Sequence, residues 1–354
     1  MIALILLVQN MFLVTAGFQH ASQQLLRPNS FRYVRRQINA IRFRQHASRY
    51  FATLYSNDTP DLDVKKTYET AKALVTKVAS TKTWKRLGPV FQLATAPTTN
   101  VHNGTRHKSC VDVGCDHGLL ALALASSGHF EKVFGTDVSP SALNDGALSN
   151  YDHLRSTLPR GVFSKLSDVE FQVRDGIIDC EAGNADVVCL CGMGVNTMEQ
   201  ILFPKDPRGD VEYTGTDFDV LRRLDTKRLV VQPTNSRPRN LIQLYDLLHS
   251  MGWSVLEERI AYVSSRWYIT TSFVPSEQQR NNDEWISSAK IMPGVLIEDS
   301  IENDDDRNAS GAVYRRYIEH HKDWIERDSQ ASPLLDKNDA RWLSFQNSRH
   351  DLCQ

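Results

Sequence analysis

The chain has 354 residues, of which 41% are hydrophobic, 23% charged and 9% aromatic. These proportions exclude a wholly disordered, fibrous or multi-span membrane protein, and the length suits one large domain with extensions or two smaller domains. The net charge is only −1, but residues 1–57 contain seven arginines and no Asp, Glu or Lys. Without those arginines the chain carries 34 basic and 42 acidic residues, a net charge of about −8.

The first 60 residues have the composition of a targeting leader. Residues 2–18 are mostly apolar, but Gln9 and Asn10 interrupt the run, which is shorter than the ~20 residues of a membrane-spanning helix. Residues 19–57 are rich in Arg, Ser and Gln, as in organellar transit peptides. We therefore expect residues 1–60 to direct the chain to an organelle and to leave no stable membrane span in the mature chain. The order of the two stretches favours a plastid, with a mitochondrion as the alternative.

Residues 61–275 show the pattern of one α/β domain. An apolar stripe at spacings of three and four predicts a helix over 61–80, and residues 95–108 are expected to form a loop. Strands are then predicted at 109–113, 132–137, 169–173, 185–190 and 228–232, and helices at 119–126, 140–154, 197–202 and 238–251. Such alternation is typical of a parallel sheet with helices on both faces. Two further β-rich runs, 254–260 and 266–274, predict a terminal antiparallel hairpin.

The pattern changes after residue 275. A polar stretch precedes a predicted helix at 311–327, and residues 340–345 are expected to be helical too. We interpret residues 276–354 as a helical C-terminal extension. The six cysteines form no C-x-x-C pair, so we expect buried free thiols and predict no metal site.

The strongest functional signal follows the first predicted strand, where residues 111–118 read VDVGCDHG. Glycines after a strand let the backbone approach a ligand because they have no Cβ. A dinucleotide-binding fingerprint would read G-x-G-x-x-G, but here Asp116 stands at the second glycine position. The acid Asp112 before Gly114 instead makes the motif resemble the first motif of S-adenosylmethionine (AdoMet) methyltransferases. That resemblance places the Asp112 carboxylate near the cationic amino-acid end of the cofactor.

Two more acids end the following strands. Asp137 comes 19 residues after Gly118, where an acid can accept hydrogen bonds from both ribose hydroxyls. Asp175 follows the third strand, where it can accept one from the adenine amino group. Each acid could instead cap a helix. The predicted sheet, with its terminal hairpin, resembles the Rossmann-like class I methyltransferases, which implies AdoMet as the cofactor. The candidate cofactor-binding residues are Asp112, Gly114, His117, Gly118, Asp137, Asp175, Gly176, Gly192 and Met193.

Two further turns follow the fourth and fifth strands: CGMG at residues 191–194 and QPTN at residues 232–235. Each alone is an ordinary turn sequence. Together with VDVGCDHG, in this order and at these spacings, they resemble the bacterial tRNA (adenine(22)-N1)-methyltransferase family, whose corresponding pieces look like DIGSDHAYL, AGMGG and LILQPxN. The resemblance spans about residues 84–274. It departs at Gly118 and Val195, where the family has Ala and a second Gly.

This resemblance implies methyl transfer from AdoMet to N1 of an adenine in tRNA. N1 of neutral adenine carries no proton, so alignment with the sulfonium methyl is the main requirement. Asp116 is our candidate catalytic residue, because a carboxylate there could stabilise the charge that develops on the ring; alternatively it caps the next helix. The candidate substrate-binding residues are Gln232, Pro233 and Asn235.

Two other functions stay open from the sequence. An AdoMet methyltransferase for a protein or a small molecule would keep the cofactor residues but not need the QPTN turn. A non-catalytic nucleotide- or RNA-binding protein would need no catalytic group. The charge of about −8 opposes RNA binding, although local basic clusters occur at 65–86, 222–228 and 237–239.

Overall fold

The computed structural model describes residues 64–96, 107–159, 166, 168–177, 185–204, 220–234, 236–276, 314 and 316–321. The chain divides into two units, residues 1–58 and 59–354, and every described residue belongs to the second. The predicted leader, Asn235 and most of the predicted C-terminal extension lie outside the described residues.

Seven strands and seven α-helices are formed by the described residues between 64 and 276. The strands are β1 (His107–Val113), β2 (Phe130–Asp137), β3 (Val169–Val173), β4 (Val187–Cys191), β5 (Arg228–Gln232), β6 (Trp253–Val263) and β7 (Arg266–Pro275). The helices are α1 (Val64–Val78), α2 (Thr81–Thr95), α3 (Leu119–Ser127), α4 (Ser149–Thr157), α5 (Val195–Leu202), α6 (Val220–Arg223) and α7 (Pro238–Ser250). A π-helical segment (Ala142–Leu148) runs directly into α4.

The strands form one sheet in the order β3-β2-β1-β4-β5-β7-β6. Strands β1 to β5 are parallel, and β7 lies antiparallel between β5 and β6. Strands β4 and β5 are buried along nearly their whole length, because helices cover both faces of a parallel sheet. The predicted fold class, a Rossmann-like methyltransferase sheet with a terminal antiparallel hairpin, is confirmed.

Helices α1 and α2 precede the sheet and pack on α3. Tyr68 of α1 meets Trp84 of α2 with their ring centroids 5.1 Å apart, and Trp84 meets Phe91 at 5.6 Å. The hydroxyl of Ser80 caps α2 by accepting a hydrogen bond from the Thr83 amide at 3.2 Å. Helix α2 also packs on β5, β6 and β7.

The end of α2 is held by Arg228, at the start of β5. The Arg228 guanidinium donates hydrogen bonds to the carbonyls of Leu93, at 2.9 Å, and of Ala96, and the residue is fully buried. Carbonyl groups at a helix C-terminus attract a cation. The sequence interpretation that placed Arg228 in a basic cluster at 222–228 is therefore wrong for this residue, because its guanidinium is buried and bound to backbone carbonyls.

One predicted helix is divided. The periodicity at 140–154 predicts a single helix, but Ala142–Leu148 is π-helical and only Ser149–Thr157 is α-helical. A π-segment widens the helix by one residue per turn, and apolar spacing does not reveal it. Elsewhere the predicted strands match closely, and β3 and β5 have the predicted bounds.

The described part of the C-terminal extension is helical and packs on the domain. Residues 314 and 316–321 are in a helix, and Tyr314 and Tyr317 are fully buried. Among the described residues, no helix is both long enough and apolar enough to span a bilayer.

Candidate functional site

A cleft opens at the carboxyl ends of β1 and β4. These strands are neighbours in the sheet, although the chain passes through β2 and β3 between them. Helices after the two strands therefore diverge, which leaves a crevice where ligands bind in open α/β sheets. The cleft is lined by Arg86, Leu87, Asp112, Gly114, Cys115, Asp116, His117, Leu119, Leu120, Cys191 and Gly192.

Asp112 lies at the inner wall of this cleft. It is only 3% exposed, and its Oδ2 accepts a hydrogen bond from the Ala121 amide of α3 at 3.1 Å. Burial raises the pKa of Asp112 to about 7; the Ala121 amide lowers it, nearby Asp137 raises it and Arg86 lowers it. A cationic ligand group at this place would favour the ionised carboxylate.

The turn after β1 has a backbone that few residues adopt. Gly114 and Gly118 have φ angles of +69° and +67°, and Asp116, with a side chain, has +46°. Aspartate is one of the residues that tolerate this left-handed region. The amides of Gly114 and Cys115 both donate to the Thr136 carbonyl, at 2.8 and 2.9 Å. The turn is thus fastened to the end of β2.

Asp116 presents its side chain at the mouth of the cleft. The side chain is 62% exposed, with Oδ2 3.5 Å from Nε2 of His117. The N-cap of α3 is Gly118, and the first-turn amide of Ala121 donates to Asp112, so the alternative that Asp116 caps this helix is not realised. A strained backbone position that lines a cleft is typical of functional residues. The catalytic role of Asp116 stays a prediction.

Asp137 holds the same turn from β2. Its Oδ2 accepts from the Asp116 amide at 3.0 Å, and its Oδ1 accepts from the Ser139 amide at 2.9 Å. Each carboxylate oxygen has a second lone pair, which ribose hydroxyls could use. The neighbouring Val138 is 67% exposed, an apolar surface that a planar base could cover and that sequence analysis did not select.

The other predicted cofactor residues differ in position. Gly192 and His117 line the cleft. Gly118 instead lies against Ala147 and Phe171, because a Cβ there would come within 2.7 and 2.8 Å of their side chains. A side chain at this position would displace one of these two neighbours.

Two predicted residues lie beyond the third strand. Asp175 is exposed and Gly176 packs against Ile201, both just after the end of β3. They belong to the same edge of the sheet as the cleft but do not line it. Their contact with the adenine of the cofactor stays a prediction.

Arg86 is a site residue that sequence analysis missed. The sequence places it in the basic cluster at 65–86, yet it lines the cleft, and its Nη1 lies 3.9 Å from the place of a Cβ on Gly192. A carboxylate at Asp112 and a guanidinium at Arg86 together suit the ammonium and carboxylate of a bound amino-acid group. No local sequence signal selects Arg86, because its place in the cleft follows from how α2 packs on the sheet.

The CGMG and QPTN turns are joined to each other. The Gly192 amide donates to the Gln232 carbonyl at 3.0 Å, and the Thr234 amide donates to the Met193 carbonyl at 2.9 Å. We call residues 232–234 and 236 the QPT corner. The structure thus brings together the cofactor-side residue Met193 and the predicted substrate-side residues Gln232 and Pro233.

Gln232 and Pro233 are both buried. The Gln232 amide group donates to the Arg86 carbonyl at 2.8 Å and to the Thr270 hydroxyl at 2.7 Å. Gln232 therefore joins β5 to α2 and β7. Its contact with substrate, and that of Pro233, stay predictions, and Asn235 lies outside the described residues.

Four cysteines are free thiols in the described part of the chain. Cys110, Cys115 and Cys189 are buried and Cys191 is half-buried. Burial raises the pKa of Cys115 and of Cys191 far above the usual value, so both are neutral and poor nucleophiles. No group of three or more His, Cys, Asp or Glu residues that could hold a metal occurs among the described residues.

Residues 99–270 match the family model described as "Methyltransferase domain". The described residues of the cleft fit AdoMet, because an acid and a guanidinium face the space where its zwitterionic end would bind and glycines border it. The match confirms the predicted AdoMet-dependent methyltransferase and its cofactor. No curated protein sequence matches the chain.

Several solved structures have a similar fold. A protein of the NADB-Rossmann superfamily from Streptococcus agalactiae is 17% identical, with a TM-score of 0.46, over 76% of this chain and 96% of that chain. TrmK of M. capricolum, in complex with S-adenosyl-homocysteine, is 16% identical, with a TM-score of 0.42, over 74% and 93%. The B. subtilis M1A22 tRNA methyltransferase TrmK is 16% identical, with a TM-score of 0.41, over 76% and 96%. These values describe a likeness of fold alone.

Proposed function

We propose that this AdoMet-dependent methyltransferase transfers its methyl group to N1 of an adenine in tRNA. The observation that carries the proposal is the meeting of three sequence motifs at one edge of the sheet. The VDVGCDHG turn lines the cleft, while the CGMG and QPTN turns are hydrogen-bonded to each other beside it. This is the combination in which the sequence resembles the bacterial tRNA (adenine(22)-N1)-methyltransferases.

The chemistry asks little of the protein beyond placement and charge. When bound, AdoMet supplies an electrophilic methyl group on its sulfonium. Transfer of that methyl group to the adenine N1 lone pair, with the sulfur as leaving group, would make the ring positive. Asp112 and Arg86 would hold the two charged groups of the cofactor's amino-acid end. Asp116 stabilises the positive ring and accepts the proton of its exocyclic amine.

Binding of tRNA requires positive charge near the cleft despite an acidic chain. Arg228 does not contribute, because it is buried. Lys65 of α1 and Lys82 of α2 are exposed, and α2 also carries Arg86 into the cleft. This proposal therefore places the RNA phosphates on the α1–α2 side of the domain.

The test uses the full chain, AdoMet labelled in its methyl group, and tRNA. The expected product is N1-methyladenine in digested tRNA, absent when the target adenine is replaced by another base. Labelled protein or a labelled small molecule, with unlabelled RNA, would support the alternative methyltransferase. Transfer to no acceptor, with retained RNA binding, would support the non-catalytic alternative.

The destination of the chain is a separate proposal that rests on composition. The apolar run followed by an acid-free, arginine-bearing stretch supports import into an organelle. A plastid is favoured over a mitochondrion, because an apolar run comes before the basic stretch.

A further inference from the structure

The C-terminal helix reaches the QPT corner through one hydroxyl group. The Tyr317 hydroxyl donates a hydrogen bond to the Ser236 carbonyl at 2.5 Å, although the residues are 81 positions apart in the chain. Both residues are buried. The Tyr317 ring packs edge-on against Trp267, at 5.6 Å, and against His321, at 4.6 Å, so its position does not depend on the hydroxyl alone.

Ser236 links the C-terminal helix to the other residues of the corner. Its hydroxyl donates to the Pro233 carbonyl at 3.1 Å and accepts from the Ile269 amide of β7 at 3.0 Å. One serine therefore connects the C-terminal helix, the turn after β5 and strand β7. The next residue of the turn, Thr234, is bonded to the Met193 carbonyl, which brings the chain of contacts to the cofactor side.

We infer that Tyr317 is a positioning residue that fixes the QPT corner for the acceptor substrate. The inference rests on the proposed function for the identity of that substrate. A buried hydrogen bond to a backbone carbonyl restricts the turn, and a turn that must meet a substrate loses complementarity when it can move. Tyr317 would then serve the reaction by holding the corner, without itself touching cofactor or substrate.

Tyr314 offers a matched control on the same helix. It is also fully buried, but its hydroxyl donates to Oε1 of Glu258, at 3.2 Å, on edge strand β6. Glu258 is bound there by Tyr245 as well, at 2.6 Å. Tyr314→Phe and Tyr317→Phe each remove one buried hydroxyl and keep the ring, but only the second change affects the corner.

The experiment measures hydrogen exchange and methyl transfer in the full-length wild type, Tyr317→Phe and Tyr314→Phe. In Tyr317→Phe, amide exchange across residues 232–236 should rise about fivefold, in line with the loss of one net hydrogen bond, whereas Tyr314→Phe should leave it unchanged. The KM for tRNA should rise by a similar factor in Tyr317→Phe, with AdoMet affinity unchanged. Ser236→Ala, which removes the link to Pro233, should reproduce both effects.

Equal rates of amide exchange across residues 232–236 in the two tyrosine variants would overturn the inference. It would also be overturned if exchange rose only in Tyr317→Phe while KM and kcat for tRNA stayed unchanged. If the wild type methylates no RNA, the proposed function fails, and the exchange data decide the positioning role: a rise confined to Tyr317→Phe and Ser236→Ala supports it, and its absence overturns it.

Discussion

Asp112 is buried, yet its proposed role requires the ionised carboxylate. Burial raises its pKa to about 7, so the carboxyl is mostly neutral well below that pH and mostly ionised above it. The ammonium of AdoMet binds the ionised form. We expect AdoMet affinity, measured by calorimetry, to rise about tenfold between about pH 5.5 and about pH 7. Asp112→Asn should bind weakly with no such rise; a wild-type affinity that is flat over this range would contradict the assignment.

The same ionisation opposes folding when no cofactor is bound. The pKa of Asp112 is higher in the folded chain than the ~3.9 of an exposed Asp, so the native state loses stability as the pH rises from about 4 to about 7. The loss is a few kcal/mol, at about 1.4 kcal/mol per pKa unit. Asp112→Asn should therefore raise the cofactor-free melting temperature above about pH 7, and this gain should vanish near pH 4. A variant less stable than wild type at high pH would refute this account of Asp112.

Asp116 is expected to act on the rate rather than on binding. Asparagine also tolerates the φ of +46°, so Asp116→Asn should keep the turn and bind AdoMet within about twofold of wild type. Its methyl transfer should slow by about 10- to 100-fold, because the charge on the ring loses its partner. Single-turnover rates at saturating AdoMet measure this. Weaker AdoMet binding with an unchanged rate would make Asp116 a cofactor ligand instead.

At the scale of the element, the π-helical segment supports the turn that carries Asp116. Its Gly146 lies so close to that turn that a Cβ would come within 2.9 Å of Nδ1 of His117 and 3.0 Å of the Asp116 carbonyl. Asn150 of α4 donates to the His117 carbonyl at 3.0 Å. A widened helical turn, common at functional sites, thus sits directly against the cleft.

Gly146→Ala should displace the turn and weaken AdoMet binding about tenfold, since overpacking a close contact costs about 1–3 kcal/mol. Gly128→Ala is the control. Gly128 also has a positive φ, +68°, but has open space around it, so alanine there should lower the melting temperature and spare AdoMet affinity. Equal loss of affinity in both variants, measured by calorimetry, would show that general destabilisation and not the turn is responsible.

Sequence analysis predicted well those elements whose own residues determine where they begin and end. Strand β5 is a short apolar run ended by QPTN, and its predicted bounds are those of the structure. Arg86 could not be selected in this way, because its place opposite Asp112 follows from how α2 packs on the sheet. The burial of Gln232 likewise depends on partners in α2 and β7, which a turn motif does not specify.

For the whole molecule, the charge is uneven: residues 1–57 are basic and free of acidic residues, whereas the rest of the chain has a net charge of about −8. The seven arginines of residues 1–57 predict that residues 1–60, fused to a fluorescent reporter, direct it to an organelle. Fluorescence spread through the cytosol would refute this.

A second fusion separates the two destinations. The apolar run at 2–18 should be required for entry into a plastid bounded by extra membranes, because a hydrophobic segment of this kind is a secretory signal. A mitochondrial presequence depends on the arginine-bearing stretch instead. Removing residues 2–18 should therefore abolish plastid fluorescence, whereas mitochondrial fluorescence from both the complete and the shortened fusion would show that the plastid proposal is wrong.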